Sequence, residues 1–268
     1  MSTLTDRTIE ALRVNRDDLA DRVRRFTASD LDRKSGSSQW DVAQVLSHLG
    51  SGAEIGLEGA RRALSGQGSP AQDFNQSVWD RWNAMSQQQK ADGFLESTEL
   101  LLSTYESMDA HTRDSLSFDL GFLPAPVGLE VLTGMRLNEA LLHSWDVRVA
   151  FDPQDSIPGS LAEVLVEQLS GPVSFFLRFL GKPAVLNGLE LELQVDTIDP
   201  EGRLGLSIAE SVSIVQAPTA AEDVLLMPTE AFVRLLSGRL SPEHTPETVH
   251  LTSSRVTLDD LRGLFPGF

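Results

Sequence analysis

Hydrophobic positions in the first 150 residues recur at the three- and four-residue spacing of amphipathic helices. The pattern predicts four principal helices, at residues 5–27, 39–64, 92–108 and 130–150. Ser38-Gln-Trp-Asp41 fits a capping box that would start the second helix, with Asp in place of the usual Glu. The first half of the chain is therefore predicted to be helical.

The pattern changes after Phe151–Pro158, where two prolines in eight residues indicate a domain boundary. Residues 161–180 favour helix, interrupted near Gly171, and two further helices are expected from Pro228 and at 258–264. Short runs between them have strand character, at residues 189–195, 203–208, 211–215, 223–226 and 249–252. We therefore predict an α+β fold in two domains, a helical domain at 1–152 and a smaller α+β domain at 153–268.

The segment from about Ser65 to Lys90 separates the second and third predicted helices. It begins with a glycine- and proline-containing break and is rich in Gln, Asn and Ser, but it also carries Trp79 and Trp82. Helix is expected for part of it. Its position would allow it to shape a pocket.

Composition limits the function classes. The formal net charge of −17 argues against sequence-independent nucleic-acid binding and disfavours docking on anionic membranes. No apolar run approaches membrane-spanning length, and the N-terminus has no apolar signal region, so a soluble cytoplasmic protein is expected. The absence of cysteine excludes disulfides, cysteine-ligated zinc and a cysteine nucleophile, so any thiol chemistry needs a thiol from outside.

Glu139 and His143 lie at i and i+4 of the fourth predicted helix, with Met135 and Leu142 close to the same side. A carboxylate–imidazole pair that faces a core needs a partner or a metal. His48, at the margin of the apolar face of the second helix, supplies a third group of suitable chemistry. We therefore predict that His48, Glu139 and His143 hold one metal ion.

Two histidines with one carboxylate are a recognised ligand group for zinc or ferrous iron, and three protein ligands leave a coordination position open. The alternative is an ordinary i,i+4 contact without a metal. The zinc-protease signature H-E-x-x-H is absent, as are the glycine-rich nucleotide motifs and G-x-S-x-G.

Other polar and aromatic residues have weaker functional signals. Asp146 would either orient the His143 ring or, as the favoured reading, cap the helix or face solvent. Trp40 and Trp145 are expected in the core. Arg239 follows a predicted helix of the second domain, where it would bind a substrate carboxylate or serve as a helix C-terminal charge. The remaining histidines are expected to be exposed, at positions His111, His244 and His250.

Two segments resemble the mycothiol-dependent maleylpyruvate isomerase family of the DinB-like superfamily. Residues 40–49, W-D-V-A-Q-V-L-S-H-L, resemble its W-x-V-x-x-V-L-x-H-L segment, and residues 136–146 resemble its R-x-x-E-x-x-x-H-x-W-D segment. The resemblance covers about residues 5–150 and implies a DinB-like four-helix bundle. The second domain is similar, more weakly, to the sterol-carrier-like α+β domain that often follows the bundle.

The resemblance implies that His48, Glu139 and His143 are metal ligands, usually of zinc, and that the cosubstrate is mycothiol, a low-molecular-weight thiol of actinobacteria. It implies that a metal-bound thiolate attacks a small electrophilic substrate, as an S-transferase or an isomerase. It also makes Arg239 a candidate for substrate binding. The alternatives are a non-catalytic binding or regulatory protein on the same scaffold and a metal-dependent hydrolase.

Overall fold

The computed structural model describes residues 2–121 and 123–267. It divides the chain into two compact units, Met1–Asp155 and Ser156–Phe268, each with its own core. The first unit is helical and the second is built on a β-sheet. The predicted fold class, a helical bundle followed by a smaller α+β domain, is confirmed.

Four long helices form the body of the first unit. α3 packs against α5 and α7, and α1 packs against α7 and α5, which closes a four-helix bundle. In chain order the elements are α1 (Leu4–Val23), α2 (Ala28–Leu31), α3 (Val42–Leu64), α4 (Phe74–Asn83), α5 (Gln87–Ser107), α6 (Ala110–Ser115), β1 (Ser117–Phe118), β2 (Val127–Gly128) and α7 (Leu129–Arg148).

Apolar side chains from these helices meet in one core. Leu19 of α1, Leu46 of α3, Phe94 of α5 and Val147 of α7 are buried there. Each fully buried side chain of this size contributes about 1.5–3 kcal/mol relative to an exposed one. The helical periodicity of the sequence therefore corresponds to the faces that the bundle buries.

Capping residues explain where the predicted helix boundaries were wrong. α3 begins at Val42 because Asp41, and not Ser38, is its N-cap. The Asp41 carboxylate accepts from the Gln44 amide at 2.7 Å, and the Gln44 side chain accepts from the Asp41 amide at 2.8 Å. α5 begins at Gln87, earlier than predicted, because Ser86 caps it in the same way.

The second unit contains a five-stranded sheet in the order β5-β4-β3-β6-β7, antiparallel except for the parallel pair β3 and β6. α10 packs against β3, β6 and α8. The elements are α8 (Gly159–Ser170), α9 (Phe176–Leu180), β3 (Leu191–Ile198), β4 (Gly202–Ile208), β5 (Val212–Val215), β6 (Val224–Pro228), α10 (Thr229–Leu236), β7 (His250–Thr252) and α11 (Leu258–Leu264).

Alternation along β3 explains the sheet packing, because Leu191, Leu193 and Val195 are buried while intervening residues are more exposed. All residues of α10 are buried, including the charged pair Glu230 and Arg234. Within the part of the chain that the structure describes, no helix has the length and apolar character needed to cross a bilayer.

Candidate metal centre

The bundle brings together the three side chains that are predicted from the sequence to be metal ligands. His48 lies on α3, and Glu139 and His143 lie one turn apart on α7. The ligand atoms of the three residues all lie within 4.8 Å of one another. Glu139 Oε2 is 2.9 Å from His48 Nε2 and 3.6 Å from His143 Nε2. One carboxylate oxygen of Glu139 thus lies close to both imidazoles, although His48 is 91 positions from Glu139 in sequence.

These separations suit one metal ion. Ligand atoms about 2.0–2.1 Å from a tetrahedral zinc lie roughly 3.3 Å from one another. The two donor separations at Glu139 fall on either side of that value. Imidazole and carboxylate are also the ligand types that zinc and ferrous iron accept. The residues present therefore fit a divalent ion in both chemistry and spacing.

The electrostatics of Glu139 favour a charged ligand. Burial raises the pKa of its carboxyl group, but hydrogen bonding and charge from His143 and His48 oppose this and hold the pKa well below its usual range. The side chain is still 41% exposed, whereas that of His143 is 12% exposed. Glu139 is therefore ionised at neutral pH and remains accessible from one side.

Asp146 fixes the orientation of the His143 ring. Its Oδ2 lies 2.8 Å from His143 Nδ1, and the residue is completely buried. The favoured sequence interpretation of Asp146, as a capping or surface residue, is wrong, because α7 runs on to Arg148 and keeps this side chain inside the bundle. A proton on Nδ1 donated to Asp146 leaves Nε2 with its lone pair directed at the ligand cluster.

Trp40 covers the two histidine rings. Its ring centroid lies 5.1 Å from that of His48 and 5.6 Å from that of His143. The residue packs against the bundle core, as predicted, but it also lines a cavity beside His48. Trp145, in contrast, is a core residue, 2% exposed, and donates to the Asp155 carbonyl at 2.9 Å.

The cavity is formed by residues of α3, α4 and α5 together with Trp40, and has a volume of ≈ 380 Å³. Its lining includes Trp79, Trp82 and Lys90, all from the segment that the sequence leaves without a function. Two tryptophans in a stretch of Gln, Asn and Ser were the signal available in sequence. The prediction that this segment could shape a pocket is supported.

A half-buried arginine, Arg136, ties together the two helices that carry the candidate ligands. Arg136 Nη2 donates to the Leu49 carbonyl at 2.6 Å, which joins α7 to α3 one residue beyond His48. In the sequence, Arg136 is notable only as the first residue of the R-x-x-E-x-x-x-H-x-W-D segment. The contact gives it a structural role, which is to fix the spacing between His48 and Glu139.

Arg239 lies just after α10 in the second unit and is partly exposed. Its Nη1 donates to the Ser237 carbonyl at 3.2 Å, and its own carbonyl accepts from Arg234 at 3.3 Å. Its role in substrate binding stays a prediction. Of the other histidines, His111 and His250 are exposed, as predicted, and His244 is only partly so.

Residues 12–148 match the family model described as the mycothiol maleylpyruvate isomerase N-terminal domain, a stretch that includes all three candidate ligands. Comparison with curated proteins gives no match. Two solved structures are similar over 100% of this chain and 100% of theirs. One is a mycothiol-dependent maleylpyruvate isomerase, with a TM-score of 0.64 and 14% identity. The other is a histidine-to-alanine mutant of such an enzyme, with a TM-score of 0.64 and 13% identity. At these identities the likeness shows the fold alone.

Proposed function

This chain belongs to an enzyme family, that of mycothiol maleylpyruvate isomerase, and on that premise we propose that it is a metal-dependent S-transferase or isomerase. Its thiol cosubstrate is mycothiol and its substrate is a small electrophile. The observation that carries the proposal is the convergence of His48, Glu139 and His143 within 4.8 Å beside a cavity that His48 also lines. Three protein ligands leave a position for an exogenous ligand.

The protein's own residues would hold the metal ion to which the thiol binds. His48, Glu139 and His143 would bind the ion, which we propose is zinc, and Asp146 keeps His143 in the tautomer that binds metal. When bound, such an ion lowers the pKa of a thiol, which makes a nucleophile available at neutral pH. Trp40 covers the histidine rings and limits the access of water.

The absence of cysteine is compatible with a borrowed thiol, because the chain has no thiolate of its own. Arg239 is proposed to bind a carboxylate of the substrate, through the guanidinium geometry that suits such groups. Arg239→Ala is then expected to raise KM for a carboxylate substrate while metal content stays unchanged.

The test begins with metal analysis of the purified full-length protein and two variants. His48→Ala is expected to abolish stoichiometric metal, and His111→Ala, a change at an exposed histidine of the same unit, is expected to keep it. Thiol consumption is then measured with mycothiol and maleylpyruvate or other small electrophiles. Metal without thiol consumption would favour the hydrolase, and a protein that binds no metal would favour the non-catalytic binder.

A further inference from the structure

A short loop before α3 carries Trp40 to the ligand cluster. Its two ends are joined by the Val42 amide, which donates to the Arg33 carbonyl at 2.9 Å. Within it, the Ser35 amide and hydroxyl both donate to the Trp40 carbonyl, at 3.1 and 2.8 Å. These contacts make residues 33–42, here called the covering loop, one hydrogen-bonded unit that holds Trp40 over the two histidine rings.

The covering loop is also fixed to α7, at Asp146. The Gly36 amide donates to the Asp146 carbonyl at 2.8 Å. Asp146 lies in the last turn of α7, where backbone carbonyls need donors from outside the helix. The loop therefore supplies a capping donor at the residue whose carboxylate orients the His143 ring.

Gly36 approaches α7 too closely to carry a side chain. A Cβ on it would lie 2.8 Å from Val149 Cγ1 and 3.1 Å from both Cα and Oδ1 of Asp146. Val149 is buried, 7% exposed, so close packing leaves it little room to move. The second oxygen of the same carboxylate, Oδ2, is the one that contacts His143 Nδ1. A side chain at position 36 would therefore press on the group that orients His143.

Another loop glycine of the same unit lacks this constraint. Gly68 follows α3 and is exposed, as Gly36 is, but a Cβ on it would have no described atom within 4 Å. Replacement by alanine is therefore sterically free at Gly68 and obstructed at Gly36. The two positions form a matched pair for mutagenesis.

We infer that Gly36 is a positioning residue for the candidate metal centre. Its lack of a side chain lets the covering loop lie against Asp146, which orients His143, while the same loop holds Trp40 over the ligand rings. The inference rests on the proposed function, in which His143 is a metal ligand. It extends control of that ligand to a residue that contacts neither the ligand nor the metal position, because hydrogen-bond partners behind a ligand set its orientation.

The first test is chelator competition, which measures the zinc affinity of full-length variants. Gly36→Ala should bind zinc roughly tenfold more weakly, because it displaces the Asp146 carboxylate without removing it. Gly68→Ala should bind zinc as wild type does. Adding Val149→Ala to Gly36→Ala removes the shortest contact, and the double variant should regain most of the lost affinity relative to Val149→Ala alone.

The second test needs no metal. Nitrogen-15 NMR of the histidine side chains in the metal-free protein reports the hydrogen bond between His143 Nδ1 and Asp146, and His143→Ala assigns the signal. Gly36→Ala should shift the His143 signal and leave that of the exposed His111 unchanged. Gly68→Ala should shift neither signal.

An unchanged zinc affinity or an unchanged His143 signal in Gly36→Ala would overturn the inference and leave the proposed function intact. Failure of Val149→Ala to restore affinity would also overturn it, since the loss would then arise away from this contact. A wild-type protein that binds no zinc would instead contradict the proposed function, and the His143 signal would still decide whether Gly36 positions the ring.

Discussion

Both α7 and α10 carry a carboxylate and a basic side chain at i and i+4, and these two pairs differ in nearly every other respect. On α10, Glu230 and Arg234 form two parallel hydrogen bonds, at 2.7 and 2.8 Å, and their side chains are 8% and 3% exposed. Arg234 also donates to the His244 carbonyl at 2.7 Å. On α7, the Glu139 side chain is 41% exposed. Its carboxylate contacts the imidazole of His48 on α3 as well as that of His143.

The difference separates a structural pair from the pair that we propose to be functional. The α10 pair is closed, because the Arg234 guanidinium donates to both carboxylate oxygens of Glu230 and also to a backbone carbonyl. The α7 cluster is open, because two imidazoles converge on one carboxylate oxygen, an arrangement that a divalent ion would complete. Spacing in sequence is the same in both, so the surroundings decide the role.

The largest expected effect is on stability, from opening the closed pair. Arg234→Met leaves Glu230 buried without its partner and should lower the free energy of unfolding by about 3–5 kcal/mol. Urea denaturation followed by circular dichroism measures this. The double variant Glu230→Leu with Arg234→Met should recover most of the loss. A single variant as stable as wild type would show that the pair is not closed.

Breaking the open cluster should change metal binding and not the fold. His143→Ala is expected to weaken zinc binding by more than about 100-fold. Loss of a residue that only hydrogen-bonds to a metal ligand weakens binding by about 10–100-fold. The free energy of unfolding of the metal-free protein should change far less than in Arg234→Met. Competition with a chelator of known affinity measures the first quantity. Wild-type affinity in His143→Ala would contradict the ligand assignment.

The next largest effect on zinc binding is expected at Asp146, which contacts the candidate ligand His143. Asp146→Asn keeps the size of the side chain but removes the charge that holds the proton on His143 Nδ1. Zinc affinity should fall roughly 10–100-fold. The same chelator competition applies, with Asp114→Asn, at an exposed aspartate of α6, as the control. An unchanged affinity would mean that Asp146 is only a packing residue.

The smallest expected effect is the pH dependence of the open cluster. The pKa of Glu139 is lowered, so its carboxylate stays charged below the pH at which an ordinary glutamate takes up a proton. Glu139 therefore contributes no change of charge between pH 5 and 7, and zinc binding requires deprotonated ligands. Affinity should fall as the pH is lowered, by about tenfold per pH unit for each proton taken up. A pH-independent affinity over this range would contradict imidazole ligation.

The sequence predicts much of this fold because periodicity and turn residues act locally. The long helices and all five sheet strands fall where apolar spacing places them, whereas the starts of α3 and α5 depend on which of several polar residues forms the cap, such as Asp41 in place of Ser38. The short pair β1 and β2 lies between the third and fourth predicted helices, where no element is predicted, because two-residue strands carry no periodic signal.

The site was predictable only in part. The i,i+4 spacing places Glu139 and His143 on one face, but the approach of His48 depends on how α3 and α7 pack, and a family motif supplied that link. The burial of Asp146 and the cavity beside His48 are tertiary facts. Trp82 reaches its place because Gly50 and Gly93 leave room for it, a match between three helices that no single segment reveals.

His48, Glu139 and His143 are proposed to hold a metal ion to which an exogenous thiol binds. X-ray absorption at the zinc edge of the zinc-loaded protein tests it directly. Before thiol is added, the first shell should contain only nitrogen and oxygen at about 2.0–2.2 Å. Addition of mycothiol should introduce a sulfur scatterer at about 2.3 Å, which the chain itself, having no cysteine, cannot supply as a thiolate. A spectrum that mycothiol leaves unchanged would contradict thiol binding at the metal ion.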